Sequence, residues 1–332
     1  EERRREFERR WKDGAFNFQA TFPDLLTSEA ANDLAAQFIH RKIHERVDDP
    51  AIAELLCPKD HPFGAKRLCA DTDYYETYNR ENVTLVDVSE TPIEAITPEG
   101  LRTGGVDYAF DAIVFATGFD AMTGALLDIG ITGRDGLTLK EKWADGSRTY
   151  LGLAIAGFPN LFAITGPGSP SVLSNMLVSI EQHVDWVADC IDHMRGHGFG
   201  RIEPTVEAED GWVEHVVEVG DSTLYPRANS WYVGANIPGK PRVFTPYVGG
   251  VGRYRETCDA VAAKRTTRAS SSAREGPSAA LVLAGETVRR GRLARLRPHP
   301  PGRAGVYRRH GGHGLRYRLD RYRCAASART AP

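Results

Sequence analysis

Cysteine is scarce in this sequence, and what there is does not pair. Cys57, Cys69, Cys190, Cys258 and Cys324 are an odd number with no Cys-x-x-Cys and no interleaved histidines. Neither a disulfide framework nor a zinc motif is indicated, and all five read as free thiols. No apolar run approaches the roughly eighteen residues of a membrane span, and the opening EERRREFERRWKDG has neither a signal core nor a cleavage site. The expectation is a cytoplasmic chain with no membrane partner and no metal. Gly-x-Gly-x-x-Gly and the P-loop are also missing, so the turns that take a pyrophosphate are not present.

The formal net charge of −2 is the balance of two unlike segments. From Lys264 onward seventeen Lys or Arg stand against three acids, leaving twenty-five basic and forty-one acidic residues before it. That tail has no Phe, Trp or Ile and many Pro and Gly (RLRPHPPGRAGVYRRHGGHG), which is not the composition of a packed core. An Arg-rich tail can hold nucleic acid by counterion release. A shifted reading frame is the preferred explanation. The run Thr266 to Ser272 (TTRASSS) can be encoded so that moving the frame back one base gives YDAGFVL, and arginine with almost no lysine fits out-of-frame GC-rich DNA. Residues 264–332 are therefore read as a disordered tail with no specific nucleic-acid partner.

With 332 residues, 41% hydrophobic and 26% charged, the chain is long enough for two domains and a sizeable core. Residues 1–56 read as helices: Phe7 and Trp11 are four apart, and Leu34, Phe38, Ile39 and Ile43 share a face behind Ser28 and Glu29. CPKDHPFGAKRLC is a Pro/Gly loop. Short β patterns follow at VTLVDV (83–88), IEAI and LRTGGVDYAF, and Ala112 to Ala116 form an apolar run of the buried parallel-strand kind. LFAITGPG (161–168) ends the same way, so both runs stop at Thr-Gly. Ligands of α/β folds sit beyond such carboxyl ends, where glycine admits close approach.

In GPGSPSVLSNMLVSIEQHVDWV (166–187), a loop supplying Ser169, Pro170 and Ser171 leads into a helix. Leu173, Met176, Leu177, Ile180, Val184, Val187 and Ile191 fall on one side of it, the spacing of a helix on a core. Its start aims unpaired N–H groups at whatever lies in front of the loop, a setting for an electron-rich ligand.

CPKDHPFGAKRLCADTDYYETYNRENV, DAIVFATGFDAMTGALL, KEKWADGSRTYLGLAIAGFPNLF, GPGSPSVLSNMLVSIEQHVDWV and NSWYVGANIPGKPRVF, in this order and spacing, resemble the C-terminal half of a type I Baeyer–Villiger monooxygenase over residues 1 to about 263. The resemblance implies an α/β fold, the C-terminal part of a flavoprotein with two dinucleotide-binding domains, both incomplete here. On it, 1–56 is a helical insertion, 57–118 the return part of the NADP-binding domain and 119–263 the C-terminal part of the FAD-binding domain. The FAD-binding turn, the family fingerprint and the NADP-binding glycine turn precede residue 1 in the family's order, so a truncated chain is implied.

By resemblance the activity is an oxidoreductase reaction that uses FAD, NADPH and O2 to convert a ketone to an ester or lactone. Arg67 would stabilise the anionic flavin peroxide and the charged tetrahedral intermediate, as a side chain that keeps its charge can, with Lys66 on the NADP 2′-phosphate. Met176 would contact the flavin, Ser171, Val172 and Leu173 would shape ketone selectivity, Trp231 would fold over NADP, and Asp120 would support the turn between the cofactor domains. Two alternatives stand beside this: a heteroatom-oxidising flavin monooxygenase, and an inactive fragment whose basic tail meets acidic partners. The sequence sets no oligomeric state.

Overall fold

Apolar residues three and four apart produce the first elements. The computed structural model describes residues 1–264 and 280–283. It begins with helices α1 (Glu2–Lys12), α2 (Ala15–Gln19), α3 (Glu29–His44) and α4 (Pro50–Leu56). Ser28 accepts from the Ala31 N–H at 3.3 Å to start α3, and Asp49 accepts from the Ala51 N–H at 2.7 Å to start α4 behind Pro50. Both are side-chain caps on otherwise unpaired donors. Phe7, Phe18 and Phe38 meet with ring centroids 5.2, 5.3 and 5.4 Å apart, and Trp11, Phe22 and Phe63 close round them. Aromatic burial holds this corner together.

Strands β1 (Ile93–Thr97), β2 (Gly100–Thr103) and β3 (Val106–Ala109) form an antiparallel sheet in chain order. The β2–β3 turn is Gly104-Gly105, with φ of 57° and 72°, a left-handed pair that matches strand twist and that glycine adopts without strain. After α5 (Gly124–Asp128) and α6 (Leu139–Lys142), the short strands β4 (Ala154–Ile155) and β5 (Phe158–Phe162) pair antiparallel. Helix α7 (Met176–His197), β6 (Arg201–Pro204), α8 (Val206–Asp221) and α9 (Val251–Lys264) complete the body.

Leu151, Trp186, Trp212, Val216, Tyr247, Tyr254 and Cys258 make the largest buried cluster, where α7, α8 and α9 meet. Polar groups inside it are paired. The Thr165 N–H donates to His183 Nδ1 at 2.9 Å, Nε2 lies 2.9 Å from the Tyr254 hydroxyl, and that hydroxyl donates to the Leu151 carbonyl at 2.6 Å. His183 is therefore the neutral, Nε2-protonated tautomer, and burial pushes its pKa down to about 4. Glu209 is fully buried on α8, with Lys142 Nζ 2.6 Å from Oε2 and the Ala156 N–H donating to Oε1 at 2.9 Å.

Several expectations do not hold. Residues 83–88 and 112–116 form no strand, and Val114 and Phe119 are 86% and 88% exposed. A buried parallel strand needs hydrogen-bonding neighbours and cover on both faces, and the described residues supply neither. The 161–168 run yields only the end of antiparallel β5, with Ala163 buried and Ile164 exposed. On α7 the buried face is Ser179, Gln182, His183, Trp186 and Met194, while Leu177, Val184 and Ile191 face outward. Strand β7 (Ala280–Leu283), inside the stretch read as disordered, pairs in parallel with β6. The rest of the tail reading, at 265–279 and 284–332, lies outside the described residues.

Candidate functional site

The first part of the loop ahead of α7 is fixed by bonds to its main-chain carbonyls. Thr149 Oγ1 donates to the Pro167 carbonyl at 2.5 Å, Trp212 Nε1 to the Gly168 carbonyl at 3.0 Å, and the Tyr247 N–H to the Ser169 carbonyl at 2.8 Å. Gly152 must be glycine, since a Cβ there would lie 2.6 Å from the Ser169 nitrogen and φ is 72°. Ser171 follows, buried and with a left-handed φ of 42°, a conformation that costs free energy and persists only when its surroundings impose it. The cap of α7 is not Ser169 or Ser171, as their place in sequence suggests. Ser171–Leu173 is a single 3₁₀ turn, and Asn175 caps the helix by accepting from the Leu177 N–H at 3.1 Å. Met176 is thus the first residue of α7, half-buried.

Arg67 reaches this turn from the 57–69 loop. Its Nη1 donates to the Val172 carbonyl at 2.6 Å, and its guanidinium lies 5.2 Å from the centre of the Phe16 ring. Tyr232 lies beside it: burial pushes that hydroxyl up, and Arg67 pulls the other way. Val172, Leu173 and Trp231 pack on the cluster formed by Ala65, Tyr225, Tyr232, Val233 and Phe244. Four of the residues singled out in sequence, Arg67, Val172, Leu173 and Trp231, are therefore brought together, with Ser171 at the start of the turn and Met176 beyond it at the start of α7. Tyr232 and Phe16 join them without having been singled out. Tyr232 stands next to Trp231, with ring centroids 4.3 Å apart, so the Trp-Tyr pair was its one available signal.

Lys66 and Asp120 sit differently. Lys66 Nζ is 2.9 Å from Asp60 Oδ2, and hydrogen bonds first from His61 and then from Lys66 hold that carboxyl down to about 2. Asp120 pairs with Lys240, which also donates to the Ala121 carbonyl at 3.0 Å, while Asn236 Nδ2 donates to the Phe119 carbonyl at 2.8 Å. These bonds tie the 231–240 loop, and Trp231 with it, to the chain at 119–121. A permanent cation beside half-buried apolar side chains, at the start of the 22-residue α7, can stabilise an anion formed next to an apolar ligand.

The chain matches no protein-family profile. It is 47% identical over 264 residues to a Baeyer-Villiger monooxygenase of Pseudooceanicola batsensis, covering 79% of this chain and 48% of that protein. A phenazine N-monooxygenase of Lysobacter antibioticus is 43% identical over 258 residues, 77% of this chain and 47% of its own length. Among solved structures, oxidized steroid monooxygenase bound to NADP superposes with a TM-score of 0.74 at 55% identity, over 79% of this chain and 50% of that one. The OTEMO complex with FAD and NADP superposes at 0.76 and 43% identity, over 79% and 49%. The chain spans about half the length of the curated relatives it matches.

Proposed function

The chain is a homologue of the Baeyer–Villiger monooxygenases over about four fifths of its length, and from that premise we propose that it is the C-terminal portion of an enzyme that uses FAD, NADPH and O2 to turn a ketone into an ester or lactone. The observation that carries this reading is the hydrogen bond from Arg67 to Val172, which sets a permanent cation against the turn ahead of α7. The residues fit part of a flavin and nicotinamide site: a charged fork, half-buried Val172, Leu173 and Met176, and a helix start. Bound there, the flavin would supply the oxygen-transfer chemistry. Arg67 would hold the negative charge that develops beside it, Val172 and Leu173 would bound the ketone, and Trp231 would cover the nicotinamide cofactor. Lys66 would turn from Asp60 to the 2′-phosphate. Residues 57–118 and 119–263 would be the return parts of the NADP and FAD domains.

The outward apolar residues Val114, Phe115 and Phe119 and those of α7 are, on this reading, surface that the remainder of such an enzyme covers. A cytoplasmic setting is part of the proposal, supported by four free thiols among the described residues; no described helix is long and apolar enough to cross a membrane. The phenazine N-monooxygenase relative favours nitrogen oxidation as the second reading. Flavin absorbance tests the proposal. The purified chain should carry little flavin, and joining residues 1–264 to the N-terminal half of the steroid monooxygenase relative should restore a yellow protein that oxidises NADPH. Failure of that chimera to hold flavin although folded would remove the reading. Products from a ketone and from an aromatic amine offered together separate the two chemistries.

A further inference from the structure

We propose that His44, Glu54 and Cys57 form a site for a borderline-soft divalent cation of the zinc class, which clamps the end of α3 to α4. His44 is the last residue of α3, and Glu54 and Cys57 stand three apart at the end of α4. One turn of α4 thus offers a carboxylate and a thiol to an imidazole from the neighbouring helix. The three ligating atoms lie within 4.8 Å of one another, and His44 Nε2 is 3.2 Å from Glu54 Oε2. A tetrahedral zinc site, with metal–nitrogen bonds of about 2.0 Å and metal–sulfur bonds of about 2.3 Å, wants ligand atoms roughly 3.3–3.7 Å apart. The exposed His44 and Glu54 side chains have the freedom to close that difference, while Cys57 is held in place by Ile43, Val47 and Ala53.

The Lys59 ammonium opposes a cation by its charge, while its bond fixes the carboxylate. Lys59 Nζ bonds Glu54 Oε1 at 2.5 Å, which turns Oε2 toward the imidazole and orients the carboxylate as an outer-shell partner does. A thiolate and a carboxylate together balance the charge of a dication, and solvent can supply the fourth ligand. The bonds and packing of these residues lie among α3, α4 and Lys59, whereas Arg67 and the turn ahead of α7 belong to a different cluster. Sequence reading found no metal motif because the imidazole comes from α3 and the other two ligands from the end of α4, with only the Glu-x-x-Cys spacing as a signal.

Titrating the purified full chain with Co²⁺ alone tests this. One equivalent should produce thiolate-to-cobalt charge-transfer absorption and the visible bands of a four-coordinate ion, and Zn²⁺ should displace it and raise the thermal midpoint. Cys57→Ser should remove the charge-transfer band, and His44→Ala, at an exposed position, should weaken binding at least about tenfold. Cys69→Ser, at an exposed thiol elsewhere, should change nothing. Circular dichroism identifies any variant that fails to fold; if Cys57→Ser is one, His44→Ala decides. Absence of the band in the unmodified chain, unaltered binding by folded His44→Ala, or loss of the band with Cys69→Ser would each overturn the site.

Discussion

Arg67 and Val172, 105 residues apart in sequence, are joined by a hydrogen bond of 2.6 Å from the guanidinium to the main-chain carbonyl. The bond uses one arm of the fork, and Tyr232 stands beside the same guanidinium. Because the acceptor is backbone, it survives any change of side chain at position 172. Charge and pocket shape are separable at this site.

That separation gives the first prediction. In a chimera completed as above, Val172→Ala should shift the kcat/KM ratio between a bulky and a small ketone by about tenfold or more, since one or two methylenes in an apolar pocket are worth about 1–3 kcal/mol. The rate of flavin reduction by NADPH should not change. Stopped-flow absorbance and product analysis on the same preparation measure both.

Glu209 allows a stability prediction of known sign. Glu209→Ala leaves Lys142 and the Ala156 N–H without their buried acceptor, and breaking one side of a buried pair costs about 3–5 kcal/mol. Glu209→Gln keeps an acceptor for Ala156 and should cost less. Urea midpoints order the three chains.

His183 sets a pH dependence. Its folded pKa of about 4 lies below the ordinary 6.5 because burial disfavours the charged ring. The unfolded chain therefore binds the proton first, and stability falls as pH drops from about 6.5 toward 4, by about 3 kcal/mol in all. His215, also lowered by burial, adds loss in the same direction. His183→Asn should be less stable at pH 7.5 and show a shallower decline between pH 7.5 and 5 in denaturant titrations. An equal slope in both chains would contradict the assignment.

How much of this was legible depends on whether a segment finds its partners within the chain. The Gly104-Gly105 hairpin and the aromatic helices were readable because their signals are local and their partners are near. Ala112–Ala116 carries a strand pattern with no strand beside it among the described residues, and periodicity records only that a face is apolar, not what covers it. The same holds for α7, whose Leu177, Val184 and Ile191 side faces out while Trp186 and His183 face the core. The Arg67–Val172 and Asp120–Lys240 contacts join distant segments; the resemblance singled out Arg67, Val172 and Asp120 but neither pairing, and Lys240 carried no signal at all.

The outward stripe yields a prediction of its own. Leu177 is 71% exposed, so Leu177→Asp should change the stability of the chain alone by no more than about 0.5 kcal/mol. In the chimera the same substitution should abolish flavin retention, because a charge would then be buried without a partner. Flavin retained at the unsubstituted level would mean that the stripe is not covered surface.

The central claim is that Arg67 holds the negative charge of oxygen transfer and not the cofactor as such. Its most direct measurement is ester formed per NADPH consumed in the chimera, with arginine, lysine and alanine at position 67. The account predicts that Arg67→Ala still oxidises NADPH while ester formation falls about a hundred- to a thousand-fold, the loss of roughly 2.7–4 kcal/mol from one preorganised anion-stabilising group. Arg67→Lys should recover little of it, because an ammonium lacks the planar fork. Undiminished ester yield from Arg67→Ala would contradict the account.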